Sequence, residues 1–218
     1  MESNIQLLSN YPDFQHAAGV DEAGRGPLAG PVTAASVVLK DDFFNTNIDD
    51  SKKLTAKKRA ELSEVIKENA LAYSVVSLGP EIIDQLNIRE ATRVAMGKAS
   101  EEVARKLEGK KVKFFVDGNV EMCTSLPQLT IIKGDSKIFS IAAASILAKV
   151  ARDQIMEELD SLYSGYELAK HKGYPTKAHK QLIAKLGPCP IHRKTFSGVK
   201  EHIQGDKEEF GYKPWSEG

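Results

Sequence analysis

Four carboxylates follow short apolar runs of this 218-residue chain, each at a point where turn-forming residues begin. They are Asp21 with Glu22, Asp117, and Asp135. A single Asp beside a Gly is more often a turn residue, but three apolar runs that end alike favour one shared site. Carboxylates brought together repel one another unless a divalent cation binds them. Because the set contains only hard oxygen ligands, the pattern indicates Mg²⁺ or Mn²⁺.

Asp21 and Glu22 present a geometric problem, because neighbours on a regular strand point to opposite faces of the sheet. Either the strand bends at this point, or one of the two residues contributes its backbone oxygen. The sequence leaves both alternatives open.

The loop 24–31 is rich in glycine and superficially fits the dinucleotide-binding pattern G-x-G-x-x-G/A. That pattern should open a helix, whereas the residues that follow, 32–38, favour a strand, and the two preceding carboxylates would repel a pyrophosphate. We therefore predict that this is not a cofactor loop. Glycines on both sides of Arg25 would instead let the backbone approach a substrate sugar or phosphate closely.

The formal net charge is zero, but the charge is unevenly distributed along the chain. Residues 168–200 contain no Asp or Glu, and we expect this acid-free stretch to face a polyanion. Its basic residues are Lys170, Lys172, Lys177, Lys180, Lys185, Arg193, Lys194 and Lys200. A second basic group runs from Lys52 to Arg59, where Lys52 and Lys53 are candidate phosphate contacts and a merely solvated face is an equal alternative.

The hydrophobic pattern predicts an α/β fold, a mixed sheet flanked by helices with a small basic helical part at the C-terminal side. Predicted strands are 16–22, 32–39, 71–78, 113–116 and 129–132. Predicted helices begin after a cap at Thr55 and also cover 88–107, 141–159 and 176–186. We expect one catalytic domain over 1–204, with 160–204 as its C-terminal helical part, and a tail over 205–218.

Targeting signals are not evident in the sequence. The N-terminus lacks a basic start followed by an apolar core, and the longest apolar stretch, 138–148, is too short and interrupted to cross a bilayer. We expect a cytoplasmic monomer that does not associate with membranes. The two cysteines, Cys123 and Cys189, fit neither a disulfide framework nor a metal site.

The chain resembles the bacterial type 2 ribonucleases H (ribonuclease HII) over residues 19–200. The similarity lies in motifs that occur in the family's order: GVDEAGRGPLAG at 19–30, DSKKL at 50–54, VDGN at 116–119, KGDS at 133–136, AASILAKVARD at 143–153 and HKGYPT at 171–176.

This resemblance implies a ribonuclease-H-like fold and cleavage of the RNA strand in RNA–DNA hybrids. It also implies incision on the 5′ side of single ribonucleotides embedded in duplex DNA, leaving 3′-hydroxyl and 5′-phosphate ends. Asp21, Glu22, Asp117 and Asp135 match the carboxylates that hold two divalent cations. Gly24, Arg25 and Gly26 match the loop that senses the ribose 2′-hydroxyl, and Tyr174 matches the tyrosine that completes this recognition.

Two other functions remain possible interpretations of the residues alone: a non-catalytic nucleic-acid-binding module and a dinucleotide-dependent oxidoreductase. Asp153 could join the metal site, although we favour an ordinary acid on the helix surface. For His171, His179 and His192 we predict packing or weak phosphate contacts and no role as bases.

Overall fold

Five strands form one mixed sheet in the computed structural model, which describes residues 1–48, 51 and 54–203. The sheet order is β3-β2-β1-β4-β5, and β1 pairs antiparallel with β2 but parallel with β4. The strands are β1 (His16–Ala23), β2 (Val32–Leu39), β3 (Ala70–Leu78), β4 (Val112–Asp117) and β5 (Gln128–Ile131). All five predicted strands are confirmed, and the mixed sheet agrees with the expected fold class.

Seven α-helices surround this sheet in the described part of the chain. They are α1 (Asn4–Leu8), α2 (Ala56–Glu68), α3 (Pro80–Leu86), α4 (Ile88–Lys106), α5 (Phe139–Leu162), α6 (Leu168–His171) and α7 (Lys177–Leu186). Thr55 caps α2 by accepting a hydrogen bond from the Lys58 amide at 3.2 Å, as predicted. The short helices α1 and α3 were not predicted, because five and seven residues are too few to show a helical period.

The two long helices cover opposite faces of the sheet. On one face α5 packs against β2 through residues such as Val37, Ala143 and Ile146. On the other face α4 packs mainly against β2 and β3, and its Met96 shares a buried cluster with Ala34 of β2 and Phe114 of β4. Alternate residues of β1 therefore face different helices, which decides where its two carboxylates point.

Helix α5 approaches β1 unusually closely at Gly19. A Cβ atom on Gly19 would lie 2.0 Å from the backbone carbon of Ser140, so only glycine permits this packing. This contact holds α5 against β1 at Gly19, which lies two residues before Asp21 in the strand.

The C-terminal part, from α6 to residue 203, packs on the end of α5 and on the loop 24–31. Ala29 of the loop lies in a buried cluster with Met156, Leu168 and Ile191. The predicted tail, 205–218, lies outside the described residues. None of the helices in the described ranges combines the length and the apolar character that a bilayer crossing requires.

Candidate active site

Three carboxylates meet where the neighbouring parallel strands β1 and β4 end. Strands β1 and β4 are parallel neighbours in which Val20 pairs with Val116, so Asp21 and Asp117 follow at adjacent strand positions. Asp135 arrives from β5 through a short 3₁₀ turn over 134–136. One carboxylate oxygen from each of these Asp residues lies within 4.8 Å of the other two.

Backbone amides hold Asp117 in place. Its Oδ1 accepts hydrogen bonds from the Gly134 amide at 2.6 Å and from the Asp135 amide at 3.3 Å. A Cβ on Gly134 would lie 2.6 Å from Cδ1 of Ile141 in α5. Glycine at 134 therefore lets the turn fit between β4 and α5, and this fit brings Asp135 to the other two carboxylates.

Glu22 lies beside this group and is not one of its three members. Strand β1 stays in regular register with β2 through Glu22 and Ala23, whereas its pairing with β4 ends at Val20. The Glu22 side chain consequently lies on the α4 face, in a small pocket that Arg25 and Asp117 also line. Its Oε1 lies 3.5 Å from Arg25 Nη1, while Asp117, at the strand end, lies between the Glu22 pocket and the Asp group. Whether Glu22 binds metal stays a prediction.

The electrostatics of the group favour a bound cation. Burial raises the pKa of Asp21 well above its usual value, and the charges of Glu22 and Asp117 raise it further. Burial also raises the pKa of Glu22, against the opposing effect of Arg25. Buried carboxylates that repel one another gain stability from a divalent cation, and an all-oxygen ligand set fits Mg²⁺ or Mn²⁺.

Two buried arginines, Arg193 and Arg152, donate hydrogen bonds to the backbone of the glycine loop from the interior of the protein. The sequence did not predict that these two side chains are buried. Arg193 donates to the carbonyl oxygens of Gly24 at 2.6 Å and Arg25 at 2.9 Å, and it also reaches Gly30 and Pro31. We expected Arg193 to belong to the basic surface, but its side chain is fully buried and the expectation is wrong.

Arg152 supports the other end of the same loop. It donates to the carbonyl oxygens of Pro31 at 3.0 Å and Ala29 at 3.2 Å, and to that of Lys172 at 3.0 Å. Gly24 has φ +96°, and a Cβ there would lie 2.1 Å from Arg152 Nε. Gly24 is therefore required both by its backbone conformation and by the arginine that packs against it.

Tyr174 lies beside this loop. A Cβ on Gly26 would be 3.8 Å from Tyr174 Cε1, and the Leu28 amide donates to the Gly173 carbonyl at 2.8 Å. The Tyr174 side chain is exposed, with the Lys149 ammonium 5.8 Å from its ring centroid. The structure thus brings together Gly26 and Tyr174, which the sequence separates by almost 150 residues.

The histidines of the C-terminal part form a buried chain of hydrogen bonds. His179 Nδ1 lies 3.0 Å from the Tyr174 carbonyl, which can only accept, so this nitrogen carries the proton. His179 Nε2 therefore accepts from His192 Nε2 at 3.1 Å, and His192 Nδ1 accepts from the Cys189 amide at 3.0 Å. Burial lowers the pKa of both rings to about 4, so they are neutral at physiological pH. The predicted packing role is confirmed, and for His179 and His192 the phosphate-contact alternative is wrong.

Asp153 lies outside the carboxylate group. Its Oδ1 accepts a hydrogen bond from Lys149 Nζ at 2.7 Å, and its Oδ2 lies 3.7 Å from Arg59 Nη2. We therefore assign Asp153 to ion pairs that join α5 to α2.

The acid-free stretch is less basic in the fold than in the sequence. Lys170 pairs with Glu167 at 3.1 Å and Lys172 with Glu157 at 2.7 Å, so acids from outside the stretch partly neutralise it. Five lysines of the stretch are exposed and have no ion pair recorded among the described residues, or are exposed with other contacts. The first group is Lys177, Lys180, Lys185 and Lys200, and the second is Lys194. The candidate phosphate contacts Lys52 and Lys53 lie outside the described residues.

Comparison with known proteins gives one consistent family. A sequence profile described as ribonuclease HII matches residues 18–199. The ribonuclease HII of Geobacter metallireducens is 50% identical over 91% of this chain and 92% of its own length, and that of Syntrophomonas wolfei is 47% identical over 92% and 76%. The structure of a PCNA:RNase HII complex from Archaeoglobus fulgidus contains a similar chain, with TM-score 0.67, 26% identity, and coverage of 89% of this chain and 100% of that one.

Proposed function

Since the chain belongs to the ribonuclease HII family, we propose that it incises duplex DNA on the 5′ side of single embedded ribonucleotides. Membership itself makes it a metal-dependent endonuclease of the ribonuclease H class that acts on nucleic acid. The proposal further includes cleavage of the RNA strand in RNA–DNA hybrids, with 3′-hydroxyl and 5′-phosphate products. The observation that carries it is the close approach of Tyr174 to the glycine loop that directly follows the carboxylate-bearing strand β1.

Asp21, Asp117 and Asp135 would hold the cations, with Glu22 as a fourth ligand. Two Mg²⁺ or Mn²⁺ ions, when bound, supply an activated water and stabilise the negative charge on the departing 3′-oxygen. The protein's contribution is to fix the ligands: the Gly134 and Asp135 amides orient Asp117, and α5 supports Asp21 through a hydrogen bond from Ser145. We assign no general base among the histidines, since two of them are buried and already hydrogen-bonded.

Recognition of the ribonucleotide would fall to Gly24, Arg25, Gly26 and Tyr174. A protein that separates RNA from DNA at one nucleotide must contact the 2′-hydroxyl, which both donates and accepts hydrogen bonds. The exposed loop backbone and the exposed Tyr174 hydroxyl can provide such contacts from two sides. The aromatic ring would pack against the adjoining sugar.

The polyanionic substrate would lie along the exposed lysines of the C-terminal part. Lys177 and Lys180 follow Tyr174 on the first turn of α7, so phosphates near the scissile site would fall within their reach. Lys52 and Lys53 stay predicted phosphate contacts. We further propose that the chain works as a monomer.

Substitution of Tyr174 tests the specificity. Tyr174→Phe keeps the ring and deletes the hydroxyl, so it should lose discrimination worth ~0.5–1.5 kcal/mol, the usual net value of one hydrogen bond. Tyr174→Ala also removes the packing surface, and a misplacement of roughly 1 Å at the reacting group can slow the reaction on the order of 10²-fold. The measurement is single-turnover cleavage, with Mg²⁺, of a duplex that carries one ribonucleotide.

The product pattern separates this function from the alternatives. A nick on the 5′ side of the ribonucleotide is expected, with no cut in the all-DNA duplex of the same sequence. Binding without hydrolysis would support the non-catalytic module instead. Equal rates for wild type and both Tyr174 variants would reduce Tyr174 to a packing residue and contradict the assigned specificity.

A further inference from the structure

Arg193 is a charged side chain that is buried without a recorded ion pair in the described residues, and Asp84 attracts it only from a greater distance. Its relative exposure is 0%, and none of the ion pairs recorded for the described residues includes it. The nearby acid Asp84 is instead engaged by the backbone amides of Lys194 and Thr195 at 2.8 and 2.9 Å. The Arg193 guanidinium donates only to carbonyl oxygens, those of Gly24, Arg25, Gly30 and Pro31.

A buried charge without an ion pair contributes little to the free energy of unfolding or lowers it. Removing a charge from water is costly, and hydrogen bonds to neutral carbonyls repay only part of that cost. The second buried guanidinium, Arg152, adds repulsion, and together with burial it lowers the pKa of Arg193 to about 9. Because an apolar residue would fill this space at lower cost, the arrangement points to what the guanidinium fixes, which is the loop backbone.

Arg193 fixes two consecutive peptide planes of that loop. In a planar trans peptide the C=O of one residue and the N–H of the next point in opposite directions. The Gly24 and Arg25 carbonyls both point inward to the buried guanidinium. The amides of Arg25 and Gly26, which belong to the same two planes, must therefore point outward.

These two amides belong to an exposed part of the loop, beside Tyr174. Arg25 and Gly26 are exposed, and Tyr174 contacts the Gly26 position. No hydrogen bond from either amide to another group is recorded within the described ranges. Successive amides that point the same way form a small positive concavity that suits an oxygen acceptor.

We infer that Arg193 is a positioning residue for ribonucleotide recognition, which orients the Arg25 and Gly26 amides as paired donors to the oxygen at the ribose 2′ position. The inference rests on the proposed function, in which this loop contacts the 2′-hydroxyl, and deepens it by assigning the residue that orients the loop backbone. It also explains why the loop needs support from a residue of the C-terminal part: the glycines on both sides of Arg25 leave this backbone free to rotate.

The test compares two affinities in one protein preparation. A duplex with a single ribonucleotide and the all-DNA duplex of the same sequence are each titrated with enzyme in Ca²⁺, under conditions where no product forms. The ratio of the two dissociation constants does not depend on the fraction of protein that is folded, because that fraction scales both constants equally. Arg193→Lys keeps the charge but cannot reproduce the planar fork, and Arg193→Gln removes the charge.

We expect the preference for the ribonucleotide duplex to fall roughly 3- to 10-fold in both variants, which is what the loss of one well-placed hydrogen bond produces. Tyr166→Phe is the matched control. It deletes another hydrogen bond of the C-terminal part, from the Tyr166 hydroxyl to the Gly187 carbonyl at 2.6 Å, and it leaves the Tyr166 ring and the Arg193 hydrogen bonds to the loop in place. This control should melt at a lower temperature and keep the wild-type ratio.

An unchanged ratio in folded Arg193 variants would overturn the inference, whether or not the two affinities weaken in parallel. If neither variant folds, the wild-type protein decides: the Arg25 and Gly26 amide ¹H–¹⁵N resonances should shift more with the ribonucleotide duplex than with the all-DNA duplex, and equal shifts would contradict the assignment. A wild-type protein without any preference would instead contradict the proposed function.

Discussion

At the scale of the single residue, the charged form of Asp21 is destabilised by its surroundings. The side chain is buried away from solvent, and the negative charges of Glu22 and Asp117 repel it. Its immediate support consists of the Glu22 amide at 2.7 Å and the Ser145 side chain. In the absence of a cation, such a residue lowers the stability of the fold.

Asp21→Asn should therefore separate stability from activity. We expect the metal-free protein to melt at a higher temperature, because a buried like-charge repulsion is removed. Activity with saturating Mg²⁺ should fall by more than the roughly 10- to 100-fold that follows the loss of an outer-shell partner of a metal ligand. Thermal melts in a chelator and single-turnover cleavage measure the two effects.

Asp153→Asn serves as the control acid for this experiment. It breaks ion pairs to Lys149 and Arg59 on α5 and α2, so it should lower the melting temperature and keep most of the activity. Near-normal cleavage by Asp21→Asn would place Asp21 outside the metal site.

The residue types predicted the carboxylate group, but they did not predict the buried arginines. Asp21, Asp117 and Asp135 are visible in the sequence because each follows an apolar run. Arg193 stands in a run of basic residues, and only the tertiary fold shows that Lys194 faces solvent while Arg193 faces a backbone 169 positions earlier. Local patterns contain no information on contacts of that separation.

At the scale of the element, the contact of α5 with β1 positions the site. Asp21 lies two residues beyond Gly19, and Ser145, which supports Asp21, lies one helical turn beyond the Gly19 contact at Ser140 and Ile141. The distance between helix and strand therefore sets the geometry of the carboxylate.

Gly19→Ala should disturb both stability and activity. The new Cβ would meet backbone atoms at 2.0 to 2.3 Å, which cannot move aside as a flexible side chain would. Overpacking of this kind costs about 1–3 kcal/mol, and we expect the upper end of that range. Chemical denaturation measures the loss, and cleavage should slow because Asp21 moves with its strand.

Gly109→Ala is the comparison for this substitution. Its Cβ would enter open space, so only the left-handed backbone, φ +78°, opposes the change. That conformation costs an ordinary residue roughly 1–2 kcal/mol, and activity should not change. A Gly19→Ala protein with wild-type cleavage would show that the helix-to-strand distance does not position the site.

The elements themselves could be predicted better than their arrangement. Alternation and helical spacing predicted the strands and the four helices α2, α4, α5 and α7, because these periods are local. The parallel pairing of β1 with β4, which brings Asp21 beside Asp117, depends on the path of the whole chain between them. The same holds for the side chain of Glu22, whose direction required the observed register with β2.

Charge distribution matters at the scale of the whole molecule, since equal numbers of acidic and basic residues conceal an uneven surface. Lys177 and Lys180 follow Tyr174, which lies beside the glycine loop, and Glu157 and Glu167 neutralise only some of the lysines of the C-terminal part. A neutral protein can thus hold a polyanion on one face.

Lys177→Gln tests this surface. Each lost phosphate contact should lower the slope of log K against log salt by about 0.9, while the position of the cut stays the same. Titration of a ribonucleotide duplex between low and moderate salt gives the slope. Lys110→Gln is the matched control, because this exposed lysine lies at the start of β4, at the opposite end of the sheet from the carboxylates. Equal slopes for the two variants would make Lys177 a solvated surface residue.

Because the chain is synthesised from its N-terminus, the contact between Arg193 and the glycine loop can form only late in synthesis. The three Asp residues of the metal group have all been synthesised by position 135, and the loop that reads the ribose by position 26. The guanidinium that orients this loop follows Gly24 by 169 residues. At a translation rate of ~5–20 residues per second, roughly 10–30 s pass between them. Under the proposed function, the growing polypeptide therefore contains all three Asp ligands before it contains the residue inferred to orient the loop for ribose recognition.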